Sequence, residues 1–308
     1  MIALEVEVDP KKVTQTGQLP PEDQDAVASA ESVRSLLIIR FAGGAIGVLL
    51  PIILIVVDFK LLGSGCVRVR DSLSAYYHSG ARDIFVIGLG AVGFLLIFYK
   101  ITRGSPANYL SSVAGMAAVA VAVIPTRLPE PLAANECGGD AAQPVLTPLQ
   151  NALTEDTAGA AHMVSAFIVF AMFAAMCFNT AIHDKRHPMA RPADATTGPR
   201  FLQSLRSVLA WISNKISWGF HAACGGVIVA GGVFYGLAKY FDWGLPLHFG
   251  PLWVAEVLAI LMFSASWFAK GLDDMFWRRE PWSRDVAFDV RTQVTNLQNP
   301  IPNDAGSP

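Results

Sequence analysis

Charge is scarce in this chain: Asp, Glu, Lys and Arg together make up 16% of its 308 residues, and the formal net charge is -2. No basic face and no basic stretch interleaved with aromatics is present to neutralise phosphates, so nucleic acid is excluded as a partner. A phosphate-binding glycine loop is missing too, since Gly225-Gly226 and Gly231-Gly232 follow no such spacing and suit close helix packing instead. The first 33 residues carry Glu5, Glu7, Asp9, Glu22, Asp23, Asp25 and Glu31 and no basic segment leading into a short apolar core. A cleaved signal peptide is therefore not expected, and residues 1–33 are read as a disordered cytoplasmic tail.

What the chain has in abundance is apolar surface. Hydrophobic residues account for 53% of it and the mean hydropathy is +0.42, the signature of a polypeptide solvated mainly by lipid. Six apolar stretches approach the length of a bilayer crossing, at about 35–57, 83–100, 107–125, 157–180, 217–239 and 249–269. The predicted fold is an all-α, multi-pass transmembrane bundle of six spans over residues 34–271, followed by a cytoplasmic tail over 272–308. Positive charge sets the orientation, because cytoplasmic flanks retain Lys and Arg. With both termini inside, Arg34, Lys100, Arg103, Lys185, Arg186, Arg200, Arg206, Lys215, Lys270, Arg278 and Arg279 fall inside. Lys60, Arg68, Arg70, Arg82, Arg127 and Lys239 fall outside. The expected location is the bacterial inner membrane.

Several local patterns refine that frame. Cys66 and Cys137 fall in the two outer loops, where they are either bridged or separate thiols, while Cys177 and Cys224 sit in apolar helices as packing residues. Small residues recur at helix-contact spacing in Gly43-xxx-Gly47, in Gly88, Gly90 and Gly93, and in Ser111, Ala114, Gly115, Ala118 and Ala122. Lipid gives helices no hydrophobic drive to associate, so these are the expected seams, with the third span central. Pro51 is expected to kink the first span or be accommodated by its neighbours. The pattern Phe201, Leu202, Leu205, Val208, Leu209, Ile212, Ile216 fits a helix lying in the inner interface, and equally a fifth span that starts early. Trp277, Arg278, Arg279 and Trp282 resemble an interfacial anchor.

Polar groups within or beside spans are costly and carry the functional signal. The densest string is Ser72-Leu-Ser74-Ala-Tyr76-Tyr77-His78, with Arg82 and Asp83 opening the second span. His162 and Glu256 lie near the starts of the fourth and sixth spans, so Asp83, His162 and Glu256 can converge in the outer half of the bundle. Three roles are open to that set. It can be a structural network, with Arg82 paired to Asp83 and His162 to Glu256; a site for a lipid headgroup or small amphiphile; or a zinc shell of Asp, His and Glu ligands. A proton relay is a further use of the same groups. No cofactor or metal is assigned, and membrane lipids are the expected partners. Elsewhere, His183 and His187 read as a solvated juxtamembrane patch, His221 as a packing histidine and Arg40 as a snorkelling side chain.

Taken in order, Ser72-Leu-Ser74-Ala-Tyr76-Tyr77, Arg82-Asp83-Ile-Phe85-Val, Ile124-Pro125-Thr126, His162, Trp253-Val-Ala-Glu256 and Ser266-Trp267-Phe-Ala-Lys270-Gly271 resemble a group of uncharacterised bacterial six-span membrane proteins. The resemblance covers about 35 to 272 and implies the six-span fold without an activity. The Ser-x-Ser loop is distantly similar to that of DRAM-like membrane proteins, which implies a regulatory or lipid-associated role. An Asp, Ser and His set within helices is similar to the CREST hydrolases, where zinc activates water for amide hydrolysis in lipids. This chain departs from the latter in having six spans rather than seven and no paired histidines in the last.

Overall fold

The computed structural model describes residues 21–58, 69–100, 105–128, 146–186, 200–243 and 250–277, and the side chains of all these except 21–33, 200–217 and 275–277. Cys66, Cys137, His187 and Trp282 lie outside the described residues. Among the described residues, seven helices run in the order α1 (Pro21–Val56), α2 (Arg82–Phe98), α3 (Pro106–Val123), α4 (Pro148–Leu153), α5 (Glu155–Arg186), α6 (Arg200–Tyr240) and α7 (Pro251–Trp277), with a 3-10 turn at Ser74–His78 before α2. There is no strand among the described residues. Residues Ile39–Leu272 form one compact unit, and every contact discussed below lies within it. Met1–Ile38 and Asp273–Pro308 form the other, whose described part is the start of α1 and the last turn of α7.

Among the described residues, five helices hold a stretch long and apolar enough to cross a membrane: Arg34–Val56, Pro106–Val123, Glu155–Arg186, Trp218–Tyr240 and Pro251–Asp274. The protein is therefore helical and membrane-embedded. The remaining apolar helix, α2, has 17 residues, about 25 Å at 1.5 Å per residue, slightly less than a typical hydrocarbon core. Several hydroxyls within these helices bond back to their own backbone. Those of Ser112, Ser165 and Thr180 donate to the carbonyls of Asn108, Ala161 and Met176 at 2.7, 2.8 and 3.0 Å.

Three boundaries differ from those expected. First, α1 begins at Pro21, inside the segment read as a disordered tail. Proline is tolerated at a first helical position. The segment over 200–216 is the start of one continuous helix to Tyr240, which decides for the early-starting span over a separate interfacial helix. Third, α7 runs past residue 271 to Trp277. An additional short helix, α4, has its start fixed by a capping box in which Thr147 and Gln150 satisfy each other's backbone N–H groups.

Packing follows the small residues. Between α2 and α3, a Cβ on Gly115 would stand 2.5 Å from the carbonyl oxygen of Gly93 and 2.8 Å from the amide of Ile97, so the two backbones touch. In α3, Ser111, Ala114 and Ala118 have no exposed surface, and the helix packs against both α2 and α5. α1 meets α7 where Gly43 faces Trp267 and Gly47 faces Ser264. An aromatic layer crosses the unit: the rings of Phe173 and Phe263 stack at 3.9 Å, Trp267 lies 5.0 Å from Phe263, and Tyr99 lies 5.1 Å from Trp267.

Candidate functional site

The polar string forms a knot of backbone caps. A 3-10 turn leaves N–H groups unpaired at its start, and the Glu256 carboxylate, reaching from α7, accepts from the Leu73 amide at 2.5 Å. Ser72 Oγ accepts from the Ala75 amide at 3.0 Å and lies 3.2 Å from Ser74 Oγ. The exchange runs both ways, because the Trp253 amide in the first turn of α7 donates to the Asp71 carbonyl at 3.1 Å. Gly250 permits that approach, since a Cβ there would stand 2.7 Å from the same carbonyl oxygen. Arg70 grips Asp58 at the end of α1 with two hydrogen bonds, 2.9 and 3.2 Å, and its guanidinium lies 5.7 Å from the Tyr76 ring centroid. Burial, reinforced by the Asp58 charge and partly offset by Arg70, pushes the Tyr76 phenol up to about 12.

The far side of the knot serves the C-terminus of α3. Helix ends leave carbonyls without partners, and side chains supply them here. Tyr77 donates to the Val123 carbonyl at 3.2 Å, His162 Nδ1 to that of Ile124 at 2.6 Å, and His78 Nε2 to that of Thr126 at 2.8 Å. The Gln150 amide of α4 also donates to Thr126, at 2.9 Å. Segments far apart in sequence thus meet on the four residues Val123-Ile124-Pro125-Thr126. Burial lowers the pKa of the His78 imidazole, an effect opposed by its bond to Thr126 and reinforced by Arg82.

These contacts place the predicted site residues. Ser72, Ser74, Tyr76, Tyr77, His162 and Glu256 are buried, His78 is half-buried, and Arg82 and Asp83 are exposed. Neither of the two pairs expected of a structural network forms. Arg82 turns to Tyr77, donating to its hydroxyl at 3.0 Å with the guanidinium 4.6 Å from the ring centroid, while His162 and Glu256 bind Ile124 and Leu73. The ligand atoms of Asp83, His162 and Glu256 do not gather within metal-binding distance of one another. The string is a set of interhelical caps with Arg82 and Asp83 at its surface.

A second buried polar assembly occupies the opposite end of the helices, and sequence reasoning assigned its members elsewhere. Arg40, expected to snorkel, is 4% exposed. Its guanidinium donates to the Tyr99 hydroxyl and, at 3.4 Å, to the Lys270 carbonyl. Lys270, counted among the flanking cations, is buried and binds Asp184 at 2.5 Å. Asp184 lay within the supposed solvated patch, and its second oxygen is 3.7 Å from Nε2 of the fully buried His221. His221 Nδ1 lies 2.8 Å from the Ser266 hydroxyl. One available signal is the seven-residue spacing of Glu256, Phe263 and Lys270, about two helical turns each, which puts a carboxylate, an aromatic ring and an amine on one face of α7.

Comparison with protein-family models, curated proteins and solved structures gives no match.

Proposed function

We propose that the chain is a six-span integral membrane protein of a bacterial inner membrane, cytoplasmic at both ends, that binds a lipid or small amphiphile where the Ser72–Asp83 string meets the membrane surface. The observation that carries this reading is Arg82: an exposed cation at the first residue of an apolar helix, held in place by the Tyr77 ring and hydroxyl. A guanidinium fixed in this way presents its remaining donors to an anionic headgroup with little further loss of side-chain freedom. Below it, Ile87, Phe94 and Phe98 of α2 are exposed and suit acyl chains. The test is mass spectrometry of lipids retained through purification. Anionic lipid should be depleted in Arg82→Gln, and identical lipid amounts in variant and wild type would overturn the proposal.

A second reading, proton-coupled transport, is favoured by one feature: ionisable groups lie on both sides of the Phe173–Phe263 stack along a single face of α7. Proton flux into proteoliposomes that is lost in Glu256→Gln would establish it, and equal flux would remove it. A zinc-dependent lipid hydrolase of the CREST type gains no support, because Asp83 is exposed while His162 and Glu256 face separate backbone partners.

A further inference from the structure

α5 ends in His183-Asp184-Lys185-Arg186, and successive side chains on a helix point about 100° apart. Asp184 turns into the unit and is 5% exposed, while the His183 side chain beside it is 49% exposed. The Asp184 carboxylate lies between two imidazoles. Nδ1 of His183 is 3.4 Å from Oδ1, and Nε2 of His221, on α6, is 3.7 Å from Oδ2. His221 has no exposed surface, and its Nδ1 is 2.8 Å from the Ser266 hydroxyl of α7. These groups form one file from the surface to the interior, in the order His183, Asp184, His221, Ser266.

A structural ion pair does not need this file. Asp184 and Lys270 meet at 2.5 Å, and their charges balance without further help. Two more nitrogen bases on the same carboxylate, one at the surface and one closed to it, give a proton a place to enter and a place to stay. Histidine suits both tasks, since it binds and releases a proton near neutral pH. With Nδ1 donating to Ser266, the neutral His221 ring turns the lone pair of Nε2 toward the carboxylate. Two facing lone pairs stand apart, and 3.7 Å is longer than a hydrogen bond. A proton added at Nε2 makes an imidazolium with an anion already beside it, which is what a buried charge requires. The other ionisable groups at this end are Lys270 on α7, Arg40 on α1, which donates to the Lys270 carbonyl, Tyr99 after α2, which accepts from Arg40, and the buried thiols Cys177 of α5 and Cys224 of α6. α7 continues into Asp273 and Asp274, which belong to the other compact unit.

We propose that His221 is a buried proton-binding site, loaded from the surface through His183 and the carboxylate of Asp184. A proton carried by His183 passes to Asp184 and on to Nε2 of His221, and it leaves by the same route; no other bond forms or breaks. Lys270 remains an ammonium group and holds the carboxylate in place between the two rings. Ser266 fixes which nitrogen of His221 faces Asp184. The use of this site as one end of a proton path rests on the proton-coupled reading, in which Glu256 lies beyond the Phe173–Phe263 stack on the same face of α7. Binding itself is measured without transport.

The test uses the full chain in detergent with isotopically labelled histidine nitrogens, followed by nuclear magnetic resonance as the pH is lowered from about 8 to 5, the range in which histidine changes charge. His221 is identified by the loss of its signals in His221→Gln and, independently of how that variant folds, by its contact with Ser266. His183→Gln carries the test of entry, because it removes the surface imidazole and leaves every buried group in place. The expected result is that wild-type His221 gains a proton on Nε2, and that its proton exchange with water slows about tenfold or more in His183→Gln. A His221 ring that keeps one protonation state throughout, or exchange equally fast in His183→Gln, would overturn the site. Proton flux in proteoliposomes separates the site from the path. Flux in wild type with a silent His221 removes this site and leaves proton coupling standing, whereas a titrating His221 without flux keeps the site and removes the path.

Discussion

Lys270→Met is the most informative single change at the charged end of the bundle. Lys270 and Asp184 are both buried, with Nζ 2.5 Å from Oδ1. Methionine retains most of the lysine stem and its packing but removes the cation, so the carboxylate loses its closest counter-charge in a low-dielectric setting. Breaking a buried pair from one side costs about 3 to 5 kcal/mol, whereas replacing both members by apolar groups of similar volume is often close to neutral. The single variant should therefore unfold well below wild type in a detergent thermal melt, by roughly 10 °C at about 2 to 4 °C per kcal/mol for a chain of this size class. The double variant Asp184→Leu with Lys270→Met should recover at least half of that loss, although His221 then loses its neighbour at 3.7 Å. The measured quantity is the coupling energy of the cycle. A single variant within about 1 kcal/mol of wild type, or a double variant as unstable as the two singles summed, would refute the claim that this pair is desolvated and mutually dependent.

Three further outcomes follow from the packing and the caps. Gly115→Ala must push a methyl into the backbone of Gly93 and Ile97 and should cost several kcal/mol, whereas Gly90→Ala, with nothing within 4 Å of the new Cβ, should be neutral or gain about 1 kcal/mol of helix propensity. Paired thermal melts that fail to separate the two would contradict the α2–α3 backbone contact. Glu256→Gln keeps an acceptor for the Leu73 amide and should be tolerated, while Glu256→Leu strands that amide and should destabilise by about 1 to 3 kcal/mol; hydrogen exchange at Leu73 reports the difference directly. Tyr76 should ionise late, near its value of about 12. Its neutral form is the one the fold favours. The associated stability is thus fully present below the ordinary phenol value of about 10 and is lost as pH rises from there through 12. Ultraviolet titration should show a late tyrosinate that is lost in Tyr76→Phe, and a complete titration by about pH 10 would refute the buried placement.

The sequence by itself determined the elements. Runs of apolar residues about as long as a bilayer is thick can satisfy their backbone groups only as helices, and each of the six runs coincides with a helix or the greater part of one. Small residues at contact spacing marked the seams, and the Gly93–Gly115 contact is one of them. The Ser-Tyr-His string, Ile124-Pro125-Thr126, His162 and Glu256 stood out because polar groups at membrane depth are costly. What that signal lacked was pairing. His162 binds a carbonyl 38 residues away and Glu256 an amide 183 residues away, and no local pattern encodes which of several groups at one depth will meet. Reading the other end failed for a related reason. Arg40, Asp184 and Lys270 sit where a span passes into its flank, and in one dimension a cation that escapes to water looks the same as one folded inward onto a carboxylate. Periodicity and hydropathy are properties of a single helix and are written in the chain. The burial of a charge depends on which faces of several helices are brought together, and only the tertiary structure decided that.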